Sequence, residues 1–208
     1  DTLPRFAVSY DVNNNWNLYA NYAKGRRSPV VDASAAGTTI TKAEIVDSYD
    51  LGVKYQSANF IFSGAIFTYE YSDYQQSYTD QETLQSITVT VGDSTMSGIE
   101  GMATYNYSDT LTFTASLGCL DAEFADNTSD GSPFQYGGNK FRLAPEVSGA
   151  ININKVVHFD NWTMDVNWLT SVQSEVFFES SNYPGMSQDT YSLTDFSLKL
   201  NRENSEFA

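Results

Sequence analysis

The sequence predicts an all-β protein, an antiparallel up-and-down transmembrane β-barrel segment of about nine strands that forms one unit over residues 1–208. Three observations carry this prediction. Apolar and polar residues alternate along most of the chain, the connections alternate between short and long, and large aromatic residues lie beside the short ones. No run of about 18 apolar residues predicts a membrane helix, but a membrane-spanning β-strand needs only about 9–11 residues, every second one apolar.

The clearest unit of the pattern is a hairpin at residues 95–124. In its first half Ile99, Ala103 and Tyr105 lie on one face, with polar or flexible residues between them. The short polar turn Ser108-Asp109 follows, and the alternation resumes at Leu111. A period of two on both sides of a tight polar turn is typical of a β-hairpin.

The same pattern places the remaining strands. Strands are predicted near 6–12, 16–23, 48–55, 59–73, 87–107, 110–124, 141–154, 162–169 and 196–200. The fourth has an ambiguous parity, because Phe60, Phe62 and Ile66 compete with Ile61, Ala65, Phe67, Tyr69 and Tyr71 for the apolar face. Gly92-Asp93-Ser94 and Gly98 predict a bulge or kink in the fifth strand, and Pro145 predicts a bend inside the seventh.

The connections and the aromatic residues indicate a membrane. Short turns at one end of the sheet and long loops at the other are typical of outer-membrane barrels. The aromatic residues near the short turns would form a girdle at one water–lipid interface. These residues are Trp16, Tyr55, Phe60, Tyr107 and Trp162. The alternative is a soluble barrel whose apolar face points inward, since alternation alone does not say which face is inside.

Composition excludes several functions. The formal net charge of −15 argues against a nucleic-acid partner, which requires a basic surface. Cys119 is the only cysteine, so no internal disulfide is expected, and it lies on the apolar face of its strand. The one histidine, His158, lies beside a short turn, and no phosphate loop or metal-ligand spacing is present. We therefore predict no enzyme, catalytic residue, metal site or cofactor.

Five segments together resemble the TonB-dependent receptors of the outer membrane. They are 19–29 (YANYAKGRRSP), 44–55, 65–75, 97–100 (SGIE) and 143–146 (LAPE). Their order and spacing cover nearly the whole chain. The resemblance implies a Gram-negative outer membrane and a plugged barrel of 22 strands, of which this chain would be an internal part of the C-terminal half. A plug domain and an energy-coupling box are not expected within it, and open edges at Arg5 and Leu200 would not be viable alone.

The resemblance also implies a function and partners. Such a receptor would bind a scarce nutrient at its extracellular loops and import it with energy from the TonB–ExbB–ExbD machinery, reached through the N-terminal region. The nutrient would be a siderophore-type metal chelate, a vitamin or an oligosaccharide. Lipid and lipopolysaccharide would surround the barrel. The alternatives are a passive porin-like channel, which has no plug, and a surface adhesion or binding barrel.

The candidate ligand-binding residues lie in or beside the long loops. They are Arg26, Arg27, Tyr74, Tyr78, Phe134, Tyr136, Phe178 and Tyr183. The arginines would bind an anionic ligand or a lipopolysaccharide phosphate, or form a solvated pair; the rings would stack on a ligand, or pack the loops. Asp121, Glu123, Asp126 and Asp130 form either a calcium site or a solvated acidic loop. Polar residues of the barrel lumen are expected to bind water and the plug. They are Asp50, Lys54, Glu100, Asp165 and Asn167.

Overall fold

A computed structural model describes residues 2–34, 37–79, 86–125 and 136–202. Its strands are β1 (Arg5–Asp11), β2 (Trp16–Arg27), β3 (Val31–Ser34), β4 (Gly37–Ile40), β5 (Glu44–Gln56), β6 (Phe60–Thr79), β7 (Ser86–Ser108), β8 (Leu111–Phe124), β9 (Val147–Phe159), β10 (Trp162–Gln173), β11 (Val176–Phe177), β12 (Ser187–Gln188) and β13 (Tyr191–Arg202). The described residues include no helix with the length and apolarity that crossing a bilayer requires.

Nine of these strands form one antiparallel sheet in the order β1-β2-β5-β6-β7-β8-β9-β10-β13. Every main strand therefore pairs with its neighbour along the chain, which confirms the predicted up-and-down architecture and strand number. The hairpins β3–β4 and β11–β12 lie within two of the long connections. Strands β1 and β13 each pair with only one neighbour in the described sheet. The sheet is therefore an open segment of barrel wall.

The register sorts the side chains onto an apolar face and a polar face. One row across the apolar face pairs Ala20, Leu51, Ile66, Ile99 and Cys119 on five successive strands. This row resolves the ambiguous parity of β6. Its even residues Phe60, Phe62 and Ile66 lie on the apolar face, and its odd residues Ile61, Ala65, Phe67, Tyr69 and Tyr71 lie on the polar face.

The apolar face is bounded at both ends. At the short-turn end, aromatic rings follow one another from strand to strand, with centroid distances of 4.6 Å for Trp16–Tyr55 and 5.9 Å for Tyr55–Phe60. At the long-loop end, Lys24 forms an ion pair with Asp47 at 3.1 Å, and Glu70 lies beside Asp47 in the same row. An aromatic girdle below and a charged row above are the boundaries expected of a lipid-facing band.

A cavity of about 690 Å³ extends across the polar face and touches residues from β2 to β13, including Tyr19, Lys54, Glu100, Gln173 and Leu193. On the apolar face the large aliphatic side chains are more than half exposed, among them Leu51, Ile66, Ile99, Leu117 and Ile151. Exposed aliphatic side chains on one face and polar side chains on the other are expected of a membrane barrel with a wet interior.

Two glycines on the polar face make room for aromatic rings of the neighbouring strand. A Cβ at Gly52 would lie 2.1 Å from Cζ of Tyr19, whose ring also lies 5.3 Å from the Lys54 ammonium. A Cβ at Gly98 would lie 2.7 Å from Cζ of Phe67 and 2.5 Å from the carbonyl oxygen of Cys119. The rings therefore cover the glycine backbone and fix the strand pairing, as cross-strand aromatic–glycine pairs do.

The irregularity predicted beside Gly92 is confirmed, and it involves both β7 and its partner β6. Gly98 pairs regularly with Phe67, so it marks a covered glycine and not a bulge. The register shifts twice here. Strand β6 has an extra residue between Tyr71 and Tyr74, and β7 has an extra residue, Val91, between Gly92 and Thr90. Asp73 within the shift has a φ of 54°, which a short polar residue tolerates better than a bulky one.

The seventh strand begins later than predicted, at Val147. Phe141 and Leu143 precede it in an irregular segment where Leu143 has a φ of 56°. Pro145 therefore precedes the strand and does not bend it, consistent with its missing N–H. The turn predicted over 155–161 is only Asp160-Asn161, because β9 continues to Phe159, while β10 begins at Trp162 as predicted.

Candidate ligand site at the long-loop end

A cluster of aromatic rings lies on the polar face at the long-loop end of the sheet. Phe124 is 2% exposed, and its ring centroid lies 4.7 Å from Phe141, 5.6 Å from Tyr136 and 5.7 Å from Tyr74. Tyr71 joins the cluster at 5.3 Å from Tyr74. The cluster ties the end of β8 and the segment before β9 to the extension of β6.

Gln75 fastens the first long connection to the same place. Its side-chain amide Nε2 donates to the carbonyl oxygens of Lys42 at 2.7 Å and Ser28 at 3.0 Å. Its backbone N–H donates to Oε2 of Glu44 at 2.7 Å, and its carbonyl accepts from Nη1 of Arg27 at 3.3 Å. Gln75 is 2% exposed, so its side-chain hydrogen bonds are shielded from water. One buried side chain therefore holds both ends of the loop between β2 and β5.

The hairpin β11–β12 is fastened by a second set of polar contacts. Gln76 Nε2 donates to Oγ of Ser180 at 2.7 Å, and Asn139 Nδ2 donates to the carbonyl of Ser180 at 2.9 Å. Asn182 Oδ1 accepts from the backbone N–H of Lys140 at 2.7 Å. The long loops thus meet one another over β6.

A cavity of about 530 Å³ lies between these contacts. Its polar lining includes Arg27, Arg142, Gln75, Gln76 and Ser180, and its apolar lining includes Met96, Leu120, Phe124, Phe141 and Leu143, with Tyr74 between them. Concave sites of this size with an apolar wall and a few polar groups are typical of small-molecule sites. We identify this cavity as the candidate ligand site.

The electrostatics of the cavity act on Tyr74. Burial is the main reason that the pKa of the Tyr74 hydroxyl is raised, and the negative charge of Glu44 raises it further. Arg142 and Arg27 oppose this shift. Tyr74 therefore remains a neutral hydroxyl in physiological conditions, beside two guanidinium groups and one carboxylate.

Replacing Gln75 with methionine should loosen the first long connection. The change keeps the length of the side chain but leaves the carbonyls of Ser28 and Lys42 without the donor that the buried Gln75 supplies, at a cost of about 2 kcal/mol. Limited proteolysis of the intact protein should then cut the segment 28–42 faster. Gln56→Met is the control, because Gln56 lies at the short-turn end. Equal protection of the segment in both variants would show that Gln75 does not hold it.

The structure brings only some of the sequence-predicted residues together. Arg27 and Tyr74 line the cavity, and Tyr136 packs against its wall through Phe124. Arg26 lies on the opposite face of β2 from Arg27, in register with Ile45. Phe178 and Tyr183 are 45% and 66% exposed near the tip of the β11–β12 hairpin. The side chain of Tyr78 and the whole of Phe134 lie outside the described residues.

The acidic candidates for calcium are only partly described. Asp121 and Glu123 lie near the end of β8, and Asp121 pairs with the Lys140 ammonium at 3.7 Å. Asp126 and Asp130 lie outside the described residues. Over residues 2–34, 37–79, 86–125 and 136–202, no group of three or more His, Cys, Asp or Glu side chains is placed to hold a metal ion.

Sequence reasoning missed most of the cavity lining, including the polar residues Gln75, Gln76, Arg142 and Ser180. Gln75 and Gln76 follow Tyr74 in a stretch rich in polar residues, where the sequence predicted a loop. Arg142 lies in a segment where the sequence predicted a strand. Ser180 is one of many serines in the predicted loops. The signal that could have found Gln75 and Gln76 is the loss of regular apolar–polar alternation after Asp73, where the side chains of β6 change face.

Residues 1–205 match the family described as TonB dependent receptor-like, beta-barrel. The chain belongs to the TonB-dependent receptor family. This family consists of outer-membrane receptors and transporters of Gram-negative bacteria, which interact with TonB. Membership confirms the predicted location in the outer membrane and the prediction that the chain is not an enzyme.

Individual relatives agree with the family assignment. The pesticin receptors of Yersinia pestis and Yersinia enterocolitica are each 20% identical to this chain over 199 residues, covering 94% of this chain and 28% of their own length. The chain thus spans less than a third of these curated relatives.

Solved structures show the same fold. The ferric yersiniabactin uptake receptor FyuA from Yersinia pestis has a TM-score of 0.79 at 20% identity, covering 94% of this chain and 29% of that one. The ferric preacinetobactin receptor BauA from Acinetobacter baumannii has a TM-score of 0.74 at 17% identity, covering 97% and 29%. At these identities the likeness establishes a shared barrel wall.

Proposed function

We propose that the chain is part of the barrel of an outer-membrane active transporter that binds a siderophore-type metal chelate at its extracellular side and imports it. The observation that carries the proposal is the family match over residues 1–205, together with relatives named as receptors for ferric chelates. The polar face supports a wet interior, and the cavity at the long-loop end supports a place for a ligand. Vitamins and oligosaccharides are the other nutrient classes to be tested.

The proposal includes a division of labour within the whole receptor. Residues 1–208 supply one stretch of wall, and the remainder of a 22-stranded barrel and a plug come from elsewhere in the receptor. The open hydrogen-bonding edges of β1 and β13 support this arrangement, because lipid offers no partner for backbone groups. The TonB–ExbB–ExbD machinery acts through the N-terminal region, and lipopolysaccharide surrounds the outer rim, where the outward position of Arg26 suits a phosphate contact.

Uptake by the full-length receptor in intact cells tests the function. We expect cells that express it to accumulate iron-55 from one member of a panel of ferric siderophores, and accumulation to stop when a protonophore collapses the proton gradient. Cells without the gene provide the baseline. Accumulation that continues without the gradient would instead support a passive porin-like channel. Cell attachment without any gradient-dependent uptake would support the adhesion barrel.

A further inference from the structure

Strands β6 and β7 continue beyond the rest of the sheet at the long-loop end. Strand β5 pairs with β6 no further than Ser72, and β8 pairs with β7 no further than Ser94. Within the described part of the chain, residues 74–79 and 86–92 then pair only with each other, and we call them the upper hairpin. A two-stranded hairpin alone is at best marginally stable in water, so its order depends on what packs against it.

One face of the upper hairpin carries the first long connection, residues 28–42. Gln75 donates to the carbonyls of Ser28 and Lys42, at the two ends of this connection. The connection also contacts the second strand, because Oδ2 of Asp32 accepts the backbone N–H of Thr88 at 2.8 Å. The first long connection is therefore bonded to both strands of the upper hairpin.

The opposite face carries the β11–β12 segment, residues 176–188. Gln76 follows Gln75 in a regularly paired part of β6, so their side chains point to opposite faces. Gln76 Nε2 donates to Oγ of Ser180 at 2.7 Å, and Ser180 is 4% exposed. Two consecutive glutamines therefore hold one loop against each face of the same hairpin.

The candidate ligand site lies along the free edge of β6 between these two loops. It touches the four consecutive residues 74–77 and also Ser180. At this edge the side chains of Glu44 and Arg27 replace a neighbouring strand, because they bond the backbone N–H and carbonyl of Gln75. Residues of the upper hairpin and of the β11–β12 segment therefore line the site, and the first long connection begins beside it.

We infer that the first long connection, the upper hairpin and the β11–β12 segment form one cooperative gate at the candidate ligand site, whose three parts open and close together. Each loop is anchored on a hairpin that is stable only while both of its faces are covered. Release of one loop loosens the hairpin, and the anchor of the other loop is then lost as well. The inference goes beyond the proposed function, because it concerns access to the site whatever the cargo is.

Hydrogen exchange of the purified full-length receptor tests the gate. The backbone N–H groups of Thr41, Thr88 and Phe178 report on its three parts, and each donates a hydrogen bond of 2.8–2.9 Å. Ser180→Ala leaves the buried side-chain amide of Gln76 without its acceptor. This variant should speed exchange at all three N–H groups by one common factor, about tenfold.

Gln75→Met releases the other loop and provides the reciprocal test. It should speed exchange at Phe178, on the face of the hairpin that Gln75 does not touch, by the same factor as at Thr41. Loops that are anchored independently would instead respond only to the loss of their own glutamine contact.

Ser181→Ala is the matched control for Ser180→Ala, because Ser181 is the next residue and is exposed. It should leave exchange at the three N–H groups unchanged. Faster exchange at Phe178 alone in the Ser180 variant, or no change there, would overturn the gate. An equal acceleration in β8, read on peptides covering 111–119, would also overturn it, since the barrel wall as a whole would then be opening.

Discussion

Replacing Gly98 with valine is expected to destabilise the full-length receptor by about 3 kcal/mol. The new Cβ would lie 2.5 Å from the carbonyl oxygen of Cys119 and 2.7 Å from Cζ of Phe67. Phe67 can rotate away, but the carbonyl belongs to the paired strand β8, so the backbone of the sheet has to shift. Unfolding of the purified receptor in guanidinium chloride, followed by tryptophan fluorescence, measures the loss.

Gly101→Val is the matched control in the same strand. A Cβ at Gly101 has no heavy atom nearer than 3.6 Å, and the residue lies on the lipid-facing side of the sheet. Valine also suits a strand better than glycine, so a change within about 0.5 kcal/mol is expected. Similar losses in the two variants would mean that the crowded inner face at Gly98 is not the cause.

Replacing Phe124 with alanine is expected to cost about 3–5 kcal/mol of local stability at the long-loop end. The ring is almost fully buried and contacts Tyr74, Tyr136 and Phe141, so its removal leaves a cavity within the aromatic cluster. The backbone bond from Phe141 N–H to the Ala122 carbonyl, 2.9 Å long, should then open more often. Hydrogen exchange of the intact receptor, read on peptides covering 136–145, reports this opening.

Phe113→Ala is the comparison for the Phe124 variant. Phe113 pairs with Tyr105 on the lipid-facing side near the short turns, far along β8 from the cluster. Its loss should leave the exchange of 136–145 unchanged while the Phe124 variant speeds it. Unchanged exchange in the Phe124 variant would show that the cluster does not hold the loop segment.

The strand pattern was readable from the sequence because each strand has two different environments. Lipid on one side and water on the other impose a period of two, which specifies strand number, order and the short turns. The parity of β6 was not readable, because it has large apolar residues on both faces. Phe67 and Tyr69 belong to the inner face, where Phe67 covers Gly98, a contact with a residue about thirty positions away.

The candidate site was only partly readable for a related reason. Arg27 and Tyr74 could be chosen because charge and aromatic character near a loop suggest binding. Gln75 could not, since its role depends on the carbonyls of Ser28 and Lys42, which every residue possesses. Arg142 lies in an irregular segment before β9, next to Leu143 with its positive φ, where the sequence predicted a regular strand. Such features follow from tertiary contacts and not from local patterns.

The use of backbone carbonyls has a consequence for how such receptors diversify. Gln75 holds Ser28 and Lys42, and Asn182 holds Lys140, through atoms that survive any substitution at the held position. A lineage can therefore change the side chains at these three positions while the anchors on the neighbouring segments keep the loops in place. Substitutions at the loop end of the barrel can then change ligand specificity without destabilising the loops.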